Sequence, residues 1–343
     1  MLRDCLRADF KIKTEVITPL IIAGADNSRD ADIQPEGLRP PSLRGAMRWW
    51  FRAMMGGIVG KNKMKALESE VFGSTEGASS VRIRTYPRKS NPGKAHLCMN
   101  DDGGSTFKGN RRANIRRPAF REGSEFELCI QCEFGSSPIV LSSLWLLAML
   151  GGVGARVRRG FGSLAMSPED ETTEKVLEDL RLSFSYSNTA SLEELAEYLE
   201  ESLKEIKKRF RDFASRRSVP GTSSAARFPV LSASRAKLWL IKPQHGFWAG
   251  WKEAMNDLRE KVYRAYKTNQ QLNEIGSASP RLASPLIIQI KRTEGGKCFG
   301  VLLAFDEGIN PSRYPRYLGK NCGDFANFLS GIKGFECREV VLP

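Results

Sequence analysis

The stretch LRPPSLRGAMRWWFRAMMGG, Leu38 to Gly57, constrains this chain more than any other. Pro40 and Pro41 stop a helix from extending backwards, Ser42 suits the N-cap, and Gly56-Gly57 is a C-cap signal, so a helix is predicted from Leu43 to Met55. On that helix Arg44, Arg48 and Arg52 recur every four residues and share a face, with Leu43, Met47, Trp50, Phe51 and Met54 broadly on the other side. Such a helix has to lay its apolar face on a sheet and turn a three-arginine ridge outward. No acid lies between Leu38 and Gly60, which excludes local ion pairing of the ridge. The helix N-terminus is expected to offer unpaired N–H groups and a partial positive charge to a phosphate, and Gly45 permits close backbone approach. Arg39 precedes the helix. Trp49, beside the ridge, is either a platform for a stacked base or core like Trp50.

Strands and helices alternate around this element. Asp9 to Thr18, Ser80 to Tyr86 and Glu125 to Phe134 read as strands. Met64 to Phe72 reads as a short helix and Pro138 to Leu150 as an apolar one. Beyond Ala165 a long amphipathic helix is predicted over Leu192 to Arg217, its apolar stripe running from Leu192 through Leu199 and Ile206 to Phe213. Phe228 to Ile241 reads as strand-rich and Trp248 to Tyr266 as helix. Leu286 to Lys291 and Cys298 to Phe305 read as paired strands about a Gly295-Gly296 turn, before a last helix from Asn321 to Ile332. A chain of 343 residues favours two domains, so an α+β fold is expected, divided into residues 1–164 and 165–343, the latter with helical insertions.

Charge narrows the function. Lys and Arg number 53 against 39 acids, a net +14, and the excess is clustered, which points to a polyanion. GGVGARVRRGFGSL, Gly151 to Leu164, interleaves glycines, Gly154 and Gly160 among them, with Arg156, Arg158 and Arg159. Glycines let backbone N–H groups point into one concavity, and arginines fork onto phosphate oxygens. The segment lacks the G-x-G-x-x-G order of a dinucleotide site and the Gly-Lys-Ser/Thr of a P-loop. Val81 to Arg121 carries eleven Lys/Arg against two acids, densest at Arg111-Arg112 and Arg116-Arg117, and its part from Arg88 to Arg121 is expected to be a long loop, either bound to RNA or simply solvated.

Enzyme chemistry finds little purchase. Only His96 and His245 exist, and no H-E-x-x-H, G-x-S-x-G or Asp-rich metal motif appears, so no catalytic residue, metal or cofactor is assigned. Cys129 and Cys132 form a C-x-x-C within a strand, where residues three apart point to opposite faces. Seven scattered cysteines behind a charged N-terminus suggest a reducing cytoplasm, and the absence of any run of about 18 apolar residues argues against a membrane span.

ITPLIIAGAD (Ile17 to Asp26), the arginine helix, EVFGS (Glu70 to Ser74), GARVRRGFGSL and, later, RLASPLIIQIKR (Arg281 to Arg292) together resemble subunit one of the Cmr (type III-B) CRISPR effector complex, in the RAMP superfamily. That resemblance implies two packed ferredoxin-like (RRM-like, βαββαβ) modules. It also implies a ribonucleoprotein in which another subunit cleaves and this one contacts guide and target RNA near the guide's 3′ portion, beside a neighbouring RAMP subunit. It carries RNA contact onto Arg39, Arg44, Arg48 and the glycine-rich loop with Arg156, Arg158 and Arg159. Two rivals remain: a guide-processing endoribonuclease using His96 or His245, and a structural subunit whose basic surface meets acidic proteins.

Overall fold

The computed structural model describes residues 7–22, 37–96, 116–188, 191–217, 229–266, 277–278, 281–282, 284–305 and 322–343. β1 (Arg7–Val16) buries Phe10, Ile12 and Val16 and exposes Arg7, Asp9 and Lys11, the alternation its sequence encodes. It is followed by α1 (Pro40–Met55), α2 (Lys61–Phe72), β2 (Arg82–Lys89), the hairpin strands β3 (Pro92–His96) and β4 (Arg116–Phe120), β5 (Glu125–Glu133), α3 (Ser137–Leu150) and β6 (Leu164–Pro168). Strand order in the first sheet is β2-β5-β1-β6, antiparallel throughout. With α1 and α2 between the first and second strands and α3 between the third and fourth, this is the βαββαβ weave of a ferredoxin-like module.

Two helices intervene, α4 (Glu171–Asp179) and α5 (Leu192–Ser215). Then come β7 (Ala236–Pro243), α6 (Trp251–Asp257) continued by a π-helical stretch to Arg264, the two-residue strands β8 (Ser277–Ala278) and β9 (Arg281–Leu282), β10 (Leu286–Arg292), β11 (Cys298–Phe305), α7 (Cys322–Ser330) and β12 (Phe335–Val340). The second sheet, β10-β11-β7-β12, repeats the first weave. Its module therefore starts at β7, and the amphipathic helix precedes it instead of being inserted into it.

One apolar core joins the modules. α1 and α3 lie on the first sheet, α5 on the second, and the three helices pack on one another between the sheets. α3 is buried along almost its whole length, which explains why SPIVLSSLWLLAML is apolar all round. β11 is buried at every position because α6 and α7 cover the second sheet's other face.

Several local expectations need correction. The N-cap of α1 is Arg39, not Ser42: the helix begins on the two prolines, whose missing N–H groups cost nothing there. The ends of the basic stretch Arg88 to Arg121 are paired strands, β3 and β4, with Phe120 bridging to Leu20. Arg111 and Arg112 lie outside the described residues.

Candidate nucleic-acid interface

The glycine-rich segment forms the joint between the modules. Its short 3-10 turn, Val157–Arg159, packs on β10. Gly160 N donates to Ile288 O at 2.8 Å, Gln289 Nε2 donates to Val157 O, and Ser163 Oγ donates to Gln289 Oε1 at 2.5 Å. On the opposite side Ala155 N donates to Ile21 O and Gly162 N to Pro19 O. The glycines are required by contact: a Cβ on Gly162 would strike Val153 O, one on Gly154 would strike Ile21 O, and one on Gly151 would lie 2.5 Å from the Trp50 indole nitrogen. Gly154, Gly160 and Gly162 also hold positive φ. The expected anion nest is thus largely a packing device, since the amides of Val153, Ala155, Gly160 and Gly162 donate to main-chain carbonyls.

Its three arginines divide. Arg158 and Arg159 converge on Ser284 beside β10, Arg158 donating to the main-chain oxygen and Arg159 to the hydroxyl at 3.2 Å. Arg158 also lies 5.9 Å from the Trp49 ring centroid and Arg159 4.0 Å from that of Tyr263. Burial lowers the pKa of both guanidiniums, and Arg156 and Arg158 lower that of Arg159 further. Arg156 is exposed, in the left-handed region at φ 60°. Among the described residues no carboxylate lies within 4.0 Å of Arg156 or Arg158.

The α1 arginines do not form a free ridge. Arg48 Nε lies 2.6 Å from Glu68 Oε1 and Arg52 Nε 3.5 Å from Glu68 Oε2, while Arg44 donates to Val81 O. Glu68 projects from α2, outside the acid-free stretch, so excluding local partners did not exclude this one. The helix N-terminus offers no row of open amides either: Pro40 and Pro41 have none, and Ser42 and Leu43 both donate to Arg39 O. Trp49 is half-buried, edge-on to Trp50 and Phe305 and close to Arg158, so it is packing.

What the fold does assemble is a groove of about 350 Å³ between the first turns of α1 and the glycine-rich segment. Ser42 and Ala46 form one wall and Gly152 to Ala155 with Val157 the other, over Ile21 and Ile22. Among the described residues no lining residue is acidic. Arg39 adjoins one wall in sequence and Arg156 the other, and the position of a Cβ on Gly45 is open space. Two motifs more than a hundred residues apart thus share one concavity with small, uncharged walls.

The RAMP superfamily model matches residues 13–165. The chain is 30% identical over 319 residues to the CRISPR system Cmr subunit Cmr1-1 of Pyrococcus furiosus, covering 87% of this chain and 88% of that one. It belongs to the Cmr1 family of RAMP proteins. A second Cmr1 protein of Pyrococcus furiosus, Cmr1-2, is 31% identical over 175 residues, 44% of this chain and 90% of the other. The fold agrees. The crystal structure of Cmr1 from Pyrococcus furiosus superposes with a TM-score of 0.63 at 24% identity, over 97% of this chain and 99% of that one. A chain in a cryo-EM structure of the type III-B Cmr-beta complex bound to cognate target RNA superposes at 0.53 and 14% identity, over 94% and 99%.

Other candidates in this Cmr1-family chain do not converge on the groove. His96 belongs to β3 of the first module, and His245 is exposed in the turn after β7 of the second. Cys129 and Cys132 do face opposite sides of β5; burial pushes their thiols up to about 11 and about 12. No helix among the described residues is long and apolar enough to cross a membrane. Sequence reasoning missed Lys291, which is fully buried on β10, its pKa lowered by burial to about 7. It also missed Ser284, the serine that gathers Arg158 and Arg159. Nothing in their local sequence marks either.

Proposed function

We propose that this chain is a non-catalytic RNA-binding subunit of a type III-B RNA-guided effector, holding the RNA backbone near the guide's 3′ portion in the groove between α1 and the glycine-rich segment. The carrying observation is the groove itself: walls without a carboxylate among the described residues, flanked by Arg39 and Arg156. Small walls admit a sugar–phosphate backbone, and flanking guanidiniums attract phosphates whatever the base sequence. Base pairing then reads sequence. Family membership supports partnership with other Cmr subunits, a neighbouring RAMP subunit included. Arg158, Arg159, Arg48 and Arg52 serve mainly to build the site.

The test is fluorescence polarisation of the full chain with labelled single-stranded and duplex RNA across a salt series. Arg39→Ala combined with Arg156→Gly is expected to weaken binding and to flatten the salt slope on single strands by up to about 1.4 units. Arg156→Gly relieves a left-handed residue, so folding is not at risk. An unchanged slope would sink the proposal. Cleavage of the RNA, abolished by replacing His96 or His245, would establish the endoribonuclease instead.

A further inference from the structure

α5 segregates its charge. Glu193, Glu194, Glu197, Glu200 and Glu201 occupy its first half. In the second half Glu205 and Asp212 stand among the bases, Arg209 pairs with Glu205 at 3.8 Å, and Lys204, Lys207, Lys208 and Arg211 are the four remaining cations. At 100° per residue those four cations fall within one arc about 100° wide, flanking the buried stripe of Leu203, Ile206 and Phe210. They are neighbours at i,i+3 and i,i+4: Lys204 with Lys207 and Lys208, and Arg211 with Lys207 and Lys208. Like charges at these spacings oppose helix formation. The dipole does not compensate, because its effect falls off within the last turn and the helix continues to Ser215.

The two halves are also used differently. The acidic half is engaged with the end of the second sheet, where Glu193 binds Arg338 and Glu200 accepts from Val341 N at 2.8 Å. Among the described residues no carboxylate lies within 4.0 Å of any of the four cations, although Glu200, Glu201, Glu205 and Asp212 are on the same helix; Glu205 turns to Arg209 instead. Lys204, Lys208 and Arg211 are exposed. Lys207 is half-buried and its ammonium pKa is lowered, by burial first and then by the charge of Arg211.

We infer that this face of α5 is a second binding surface, for the sugar–phosphate backbone of single-stranded RNA beyond the segment held in the groove. The step from Lys204 to Arg211 is roughly 10 Å of helix, short enough for consecutive phosphates of a flexible strand to follow. Three of the four cations are lysines, point charges on flexible stems suited to a backbone of no fixed sequence. Lysine is depleted from protein–protein interfaces, and the arc holds no aromatic anchor, which disfavours an acidic protein as occupant. The inference rests on the reading that the chain works on RNA, but not on the groove.

The test compares the full-length chain with the variant K204Q/K207Q/K208Q/R211Q, using labelled single-stranded RNA of about 40 nucleotides across a salt series. The four side chains lie beside the buried stripe and not in it, so the variant should fold, which its melting curve checks. The variant is expected to lose roughly tenfold in affinity and to flatten the salt slope by up to about 2.8 units. A ten-nucleotide RNA should lose less. Unchanged affinity and slope in a variant that folds, while Arg39→Ala with Arg156→Gly still loses binding, would overturn the α5 surface and leave the groove reading intact. Loss of binding to polyglutamate with RNA binding retained would overturn it in favour of an acidic protein. Failure of the unaltered chain to bind RNA at low salt would overturn both.

Discussion

The Nζ of Lys291, on the second sheet, lies 2.5 Å from the carbonyl oxygen of Ala148, in the last turn of a helix on the first. A second bond of 2.6 Å reaches Gly151 O, so one amine caps the end of α3 across the module boundary. A neutral amine has two N–H groups for these two acceptors. Burial disfavours the ammonium and lowers the pKa to about 7.

The sign of the pH dependence follows. The unfolded lysine keeps a pKa near 10.4, so between pH 7 and 10 the unfolded chain binds more protons and Lys291 contributes more stability as pH rises. Below pH 7 that contribution is absent. Urea unfolding of the wild type and Lys291→Met across this range should show the wild type gaining on the variant by an amount on the order of 4 kcal/mol. A pH-independent difference would refute the lowered pKa.

Glycines in the two motifs should respond in opposite directions. Gly162 combines φ 69° with a carbonyl where its Cβ would go, so Gly162→Ala is expected to cost more than about 2 kcal/mol in thermal unfolding. Gly45 sits in α1 with open space around its Cβ position, so Gly45→Ala should stabilise by about 0.5–1 kcal/mol. A bulkier residue there should keep the fold while lowering RNA affinity. Equal effects at the two glycines would contradict the joint described for Gly162.

The Arg48–Glu68 pair separates scaffold from surface. Glu68 is only 6% exposed, so Arg48→Ala leaves a buried carboxylate with Arg52 alone, a loss of about 1–2 kcal/mol. Adding Glu68→Ala should recover part of it in a double-mutant cycle. Additive single effects would show that the pair contributes nothing.

Much of the fold was legible in the sequence, because strands and amphipathic helices are written in periods of two and 3.6 residues: β1, α1, α3, α5, β10 and β11 lie close to where the pattern places them. Both motifs of the candidate site were legible too, through proline, glycine and arginine. Their chemistry was not. Arg48 looked free because its acid is twenty residues away on another helix, and Arg158 looked like a phosphate ligand because Ser284 is 126 residues away.

Composition and periodicity by themselves determined an α+β chain with a clustered positive charge and a glycine-rich, arginine-bearing segment. Only the tertiary structure decided which cations meet a carboxylate or a carbonyl, which face solvent, and which side chain is buried deeply enough to have its pKa lowered. Secondary structure depends on neighbours a few residues apart, whereas ion pairing and desolvation depend on atoms the chain brings together only when it folds.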